Sequence, residues 1–118
     1  MSGHVAWSLE LTVKPGRLDE LRVLVDDLVE SAQGEPGTLM YELSISEDGS
    51  VVHSYERFAD SDAALAHFAR FGENFLQRYL AAVDTTRVVV YGTPSAAVKE
   101  ATAAFQPTYM QPLAGFAR

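Results

Sequence analysis

The chain has 118 residues, 47% hydrophobic and 21% charged, with a formal net charge of −7 and no cysteine. Such a length and balance describe one globular domain that buries roughly two thirds of its unfolded surface. The lack of cysteine excludes disulfides, thiolate catalysis and zinc-finger ligation, and an acidic balance repels phosphate backbones, so nucleic acid is not an expected partner. With no apolar run long enough to span a bilayer and no signal-peptide layout at Met1-Ser2-Gly3-His4, the expectation is a cytoplasmic protein with no membrane partner.

Val5, Trp7, Leu9, Leu11 and Val13 alternate with more polar residues, predicting a first strand with one apolar face, which Pro15-Gly16 ends. From Arg17 to Gln33 the period becomes helical, with a stripe of Leu18, Leu21, Val25, Leu28 and Ala32, widened by Leu24 and Val29. Asp19, Glu20, Asp26, Asp27 and Glu30 give that helix a solvated acidic face. Gly34 suits the end of the helix, and Glu35-Pro36-Gly37 forbids its continuation.

Two alternating runs then flank Asp48-Gly49, a pair that favours a two-residue type I′ hairpin loop. In that register Leu39 faces Phe58, Tyr41 faces Glu56, Leu43 faces Ser54 and Ile45 faces Val52, all on one side of the sheet. This side is the expected core face, although it carries Ser54 and Glu56. The other side mixes Met40, Val51, His53 and Tyr55 with Glu42 and Arg57. It is too apolar for a plain solvent face, so the expectation is a homodimer formed through the open sheet face.

Asp60-Ser61-Asp62 caps a second helix. Gly72 is expected to break it into pieces of about 61–70 and 73–82. Thr86 to Tyr91 reads as a fourth strand, and Thr93-Pro94 as the cap of a short last helix. Tyr109, Met110, Leu113 and Phe116 are too apolar for a free tail, which is expected to pack on the body or on a partner chain.

The order βαββαβ predicts an α+β, ferredoxin-like domain over residues 1–92, with a four-stranded antiparallel sheet and helices on one face. Residues 93–118 add the short helix and tail.

Phosphate loops, dinucleotide fingerprints, zinc-protease motifs and nucleophile elbows are absent, and His4, His53 and His67 lack metal-ligand spacing, so no metal is expected. Glu56 beside Tyr41 on a core face is either a pocket carboxylate that accepts a proton or a satisfied structural residue. His67, within an apolar helix, is either a proton-transfer or substrate-orienting group or a core histidine bonded to a carbonyl or to Glu56. Trp7, Phe68 and Phe71 are core residues or the walls of a cavity for a planar ligand, and Asn74 either points an amide inward or is exposed.

Pro15-Gly16, Glu35-Pro36-Gly37-Thr38-Leu39-Met40-Tyr41-Glu42, Tyr55-Glu56-Arg57-Phe58-Ala59-Asp60 and Ala63-Ala64-Leu65-Ala66-His67 together resemble the antibiotic biosynthesis monooxygenase family, over about residues 4–92. The resemblance implies a small dimeric α+β barrel that oxygenates a quinol or phenolic, polyketide-type aromatic with O₂, using no metal, flavin or haem. It places the family histidine on His67 and the strand glutamate on Glu56. Many members have a second histidine shortly after the first; Phe71-Gly72-Glu73-Asn74 has none here, and Phe75 to Tyr79 lacks the iron-ligand histidine of haem-degrading relatives.

Three readings stand on this basis. In the first, the protein is a cofactor-independent monooxygenase with His67 and Glu56 catalytic and Trp7, Tyr41, Phe68, Phe71 and Asn74 at the substrate. In the second it is a non-catalytic module that binds a small aromatic metabolite. In the third it is a structural dimer without a ligand.

Overall fold

A computed structural model describes residues 3–118. The elements are β1 (Val5–Val13), α1 (Leu18–Gln33), β2 (Thr38–Ile45), β3 (Val51–Phe58), α2 (Ser61–Asn74), α3 (Leu76–Ala82), β4 (Val83–Gly92), α4 (Ala96–Thr102), a 3₁₀ turn (Ala103–Phe105) and β5 (Thr108–Met110). The strands form one sheet in the order β2-β3-β1-β4-β5. The first four pair antiparallel, as a ferredoxin-like α+β fold requires.

The sheet is not the four-stranded antiparallel one expected from the sequence, because β5 adds a fifth strand parallel to β4. The turn before it places Gln106 at φ 50°, which redirects the chain onto the sheet edge. Tyr109 is held there by its hydroxyl, which bonds Thr102 Oγ1 at 3.1 Å. A three-residue apolar strand carries no period that separates it from a tail. Beyond it, Leu113 and Phe116 are exposed in the single chain.

The hairpin keeps its register but not its turn. Met40 faces Arg57, Tyr41 faces Glu56, Leu43 faces Ser54 and Ile45 faces Val52. Ser46 N donates to Val51 O at 2.8 Å and Gly49 N to Ser46 O at 2.9 Å, leaving a loop of residues 47–50. Only Gly49 of the Asp48-Gly49 pair has positive φ (77°), so the turn is not type I′. Asp48 Oδ1 instead accepts from the backbone and hydroxyl of Ser50 and from Ser46 Oγ. These bonds, led by the Ser50 hydroxyl, hold its carboxyl down at about 2. At the far end a bulge between Thr38 and Met40 sets Thr38, not Leu39, opposite Phe58, and Leu39 is exposed.

The second helix breaks at Phe75 (φ −127°, ψ −16°) rather than at Gly72, which lies inside α2. Asp60 caps α2 by accepting from Ala63 N at 2.8 Å, a contact typically worth about 1 kcal/mol. Ser95, not Thr93, caps α4.

The helices cover one sheet face over two packed regions. Leu11, Leu21, Leu24, Leu28, Val52 and Tyr79 centre one; Val5, Trp7, Phe58, Val88, Val90 and Val98 centre the other. The candidate site lies where the two meet.

Candidate functional site

Strand register brings the first three side chains together. Trp7 on β1 and Tyr41 on β2 both lie opposite Glu56 on β3, so the three form a row across the inner face. Ser54 is two residues from Glu56 and shares that face. From its Asp60 cap, α2 carries His67 over the row. Glu56 and His67 are only 4% and 7% exposed, so each must find its polar partners within the protein.

They do. Trp7 Nε1 donates to Glu56 Oε1 at 2.8 Å, and Ser54 Oγ donates to Oε2 at 2.8 Å. His67 Nε2 lies 3.1 Å from Glu56 Oε1. On the other side of the ring, His67 Nδ1 lies 2.7 Å from Glu35 Oε1.

Glu35 has no role in the sequence reading, where Glu35-Pro36-Gly37 serves as a helix breaker and as part of the family pattern. Its loop is tightly fixed. Glu35 N bonds Ala32 O at 3.0 Å, Thr38 N bonds Glu35 O at 3.1 Å, and Ala59 N bonds Gly37 O at 2.9 Å. Gly37 packs so closely on α2 that a Cβ there would stand 2.5 Å from the Ala63 Cβ. Thr38 Oγ1 also donates to Glu35 Oε1, at 2.7 Å. No local pattern signals the contact, because Glu35 and His67 meet only once the loop is folded against α2.

Both nitrogens of His67 therefore face carboxylate oxygens. Ionised carboxylates only accept, so a ring that satisfies both is an imidazolium. Burial pulls the titration of His67 down. The hydrogen bond and charge of Glu56, followed by those of Glu35, outweigh it, and the net direction is upward from 6.5. The Phe58 and Tyr41 rings, with centroids 5.1 and 5.4 Å away, add aromatic surroundings suited to a cation. Burial, then the charges of Glu56 and Glu35, raise the Tyr41 phenol above its ordinary value. Tyr41 thus remains a neutral hydrogen-bond donor. Tyr79 is raised as well, by burial first, and its hydroxyl bonds Thr85.

These groups form the polar end of an otherwise apolar cavity walled by Trp7, Tyr41, Phe68, Phe71, Tyr79 and Val88, among others, which Glu56 and His67 also line. Traced by the centre of a water-sized sphere, it measures about 60 Å³, several times what one water needs. Of the seven residues singled out from the sequence, the fold brings Trp7, Tyr41, Glu56, His67, Phe68 and Phe71 to this cavity. Asn74 is exposed, and its amide donates to Arg70 O at 3.0 Å, away from the cavity. Among the described residues no cluster of His, Asp and Glu has the makings of a metal site, and no helix is long and apolar enough to cross a membrane.

The family profile of antibiotic biosynthesis monooxygenases matches residues 5–84. The chain belongs to that family. No curated protein matches it in sequence. Among solved structures, MupZ from Pseudomonas fluorescens superposes with a TM-score of 0.86 at 17% identity, covering 99% of this chain and 96% of MupZ. SnoaB, a cofactor-independent oxygenase from Streptomyces nogalater, gives a TM-score of 0.64 at 17% identity, over 80% of this chain and 97% of SnoaB. Rv0793 from Mycobacterium tuberculosis gives 0.63 at 23% identity, over 80% of this chain and 99% of its own. At these identities the structures establish the shared fold. MupZ matches through the C-terminal segment as well, so α4 and β5 have counterparts outside this chain. SnoaB shows that this monooxygenase-family fold can house oxygenation without a cofactor.

Proposed function

We propose that this family member is a cofactor-independent monooxygenase acting on a quinol or phenolic aromatic, with Glu56 as the catalytic base and His67 as the residue that orients it. The observation that carries this reading is a buried carboxylate at the polar end of an apolar, aromatic-walled cavity, fixed by Trp7, Ser54 and His67. A cavity with few, converging polar groups suits an aromatic ligand with one polar end.

In the proposed reaction Glu56 takes the substrate O–H proton. The resulting anion is electron-rich at a ring C–H carbon, which bonds O₂. The peroxide so formed takes the proton back from Glu56. Loss of water, with the remaining hydrogen of that carbon, leaves a carbonyl. One oxygen atom stays on the product and the other leaves in water, and the substrate supplies the electrons. Tyr41 donates a hydrogen bond to the substrate oxygen, and Trp7, Phe68 and Phe71 exclude water from the anion. A cavity of about 60 Å³ is smaller than a two-ring ligand requires, so binding moves partly exposed wall residues such as Tyr41, Leu43 and Phe71 apart.

The working unit in this reading is a homodimer formed through the open sheet face. Met40, Val51, Tyr55 and Tyr91 are exposed on the side of the sheet away from the helices, which supports a second copy there.

Oxygen uptake with a panel of two- and three-ring quinols tests the reaction. The wild type consumes O₂ stoichiometrically with quinone formation, and Glu56→Gln loses at least about a hundredfold in kcat, the lower range of general acid–base contributions. Undiminished turnover by the variant overturns the assignment. Tight binding of the same compounds without oxygen uptake assigns the protein to ligand binding instead.

A further inference from the structure

His67 has no nitrogen to spare. Its Nε2 is committed to Glu56 and its Nδ1 to Glu35, at 3.1 and 2.7 Å. A histidine that acts as a base needs an unprotonated nitrogen facing the substrate, and this ring presents none. Of the two carboxylates bonded to the ring, Glu56 lines the cavity, whereas Glu35 is absent from its wall.

We propose that Glu35 is a positioning residue, which holds the His67 ring in one orientation and doubly protonated, so that the proton acceptor at the cavity is the Glu56 carboxylate and not the imidazole. The proposal rests on the oxygenase reading for the substrate, but its structural content is independent of it. Geometry carries it in three ways. Glu35 Oε1 meets His67 Nδ1 at 2.7 Å and is itself steadied by Thr38 Oγ1 at 2.7 Å. Its side chain is 13% exposed, so its charge acts on the ring largely unscreened. Its backbone is pinned at Ala32, Thr38 and, through Gly37, at Ala59, so the carboxylate is held in place before any ligand arrives.

The titratable groups that face the ring are Glu35 from the α1–β2 loop, Glu56 from β3 and Tyr41 from β2. Tyr41 stays neutral, so the ring's charge is set by the two carboxylates. With Glu35 present, the imidazolium donates through Nε2 to Glu56 and orients it. In the proton step the substrate O–H bond breaks and a Glu56 O–H bond forms, while both N–H bonds of the ring stay intact. With Glu35 neutralised, the ring gives up one N–H proton more readily and competes with Glu56 for that of the substrate.

The test is ¹⁵N NMR of the His67 side chain in the full-length protein, titrated in the wild type and in Glu35→Gln. Glutamine keeps the length of the side chain and an acceptor for Thr38 but removes the charge. The expected result in the wild type is two protonated-type ring nitrogens at neutral pH. In E35Q the midpoint moves down by about one to three pH units, the usual effect of one opposite charge in contact. In oxygen uptake, E35Q loses at least about tenfold in kcat with little change in KM, and its pH profile gains a step that follows the new His67 midpoint. A wild-type spectrum with one unprotonated ring nitrogen at neutral pH overturns the proposal without any variant, as does an E35Q midpoint equal to that of the wild type. Because the spectra need no substrate, failure of the wild type to consume oxygen overturns the oxygenase reading alone.

Discussion

Glu56→Leu is the substitution in which stability and function separate most sharply. The carboxylate takes hydrogen bonds from Trp7 and Ser54 and pairs with His67. Leucine fills similar volume but accepts nothing. It leaves the Trp7 indole N–H unsatisfied at a cost of about 1–3 kcal/mol. It also leaves the ring of His67, 7% exposed, with an uncompensated donor on one side; breaking a buried pair in this way costs about 3–5 kcal/mol. The two costs overlap, because the ring can shed its Nε2 proton, so about 4 kcal/mol is the expected loss. Glu56→Gln retains an acceptor for the indole and loses only the charge, so about 1–2 kcal/mol is expected. In urea, at a slope of about 2 kcal/mol per M, E56L lowers the midpoint by about 2 M and E56Q by less than about 1 M.

A third variant decides what the cluster is for. Replacing it whole with apolar residues (Trp7→Phe, Ser54→Ala, Glu56→Leu, His67→Leu, Glu35→Leu and Thr38→Val) strands no side-chain donor of the cluster, and such swaps are commonly neutral or stabilising by about 1–4 kcal/mol. Recovery of most of the E56L loss in that variant shows that the fold does not need the polar cluster, which is then retained for chemistry. Equilibrium unfolding followed by tryptophan fluorescence serves for the single variants, and circular dichroism for the variant that lacks Trp7. A loss below about 1 kcal/mol in E56L refutes the reasoning, since it means that the carboxylate is not the acceptor holding these donors.

Stability against pH follows from His67. Its folded titration lies above 6.5 because the two carboxylates outweigh burial, so as pH rises the unfolded chain loses this proton first. The stabilisation is complete below about 6.5 and fades as pH rises through the folded value; denaturation midpoints measured from pH 6 to 9 fall in the wild type, and His67→Gln flattens that slope. Sedimentation equilibrium is expected to give about twice the 12.9 kDa chain mass, with Tyr55→Lys plus Tyr91→Lys on the outer sheet face shifting it to the monomer; a monomeric wild type at all concentrations removes the dimer.

Much of the fold was legible because it depends on alternation. The period of two across β2 and β3 placed Tyr41, Ser54 and Glu56 on one face, and it did so despite a wrong turn. A loop of residues 47–50 and a loop of Asp48-Gly49 leave the same side chains opposite one another, since one extra loop residue on each side leaves the pairing of the strands unchanged. The strand ends were less legible. Leu39 is as apolar as Phe58, but the bulge at Thr38–Met40 rotates it outward, and nothing in its own chemistry announces that. Gly72 carries the stronger helix-breaking signal, yet it lies exposed inside α2, which is anchored by its buried Ala64 and His67, and the chain breaks one turn later, at Phe75. Helix propensity of about 1 kcal/mol is readily overridden by tertiary contacts.

The site divides along the same line. Glu56 and His67 were recognisable because a carboxylate on a core face and a histidine on an apolar helix each violate the pattern around them, and such violations concentrate at functional places. Glu35 violates nothing. Beside Pro36 and Gly37 it reads as an ordinary polar loop residue, and its burial arises only when Gly37 lets the loop close against Ala63. A substitution at Gly37 that lifts the loop by an ångström therefore moves the charge that governs His67 without touching the cavity. The family pattern around Glu35-Pro36-Gly37, read first as punctuation between a helix and a strand, is better understood as the mount of a carboxylate.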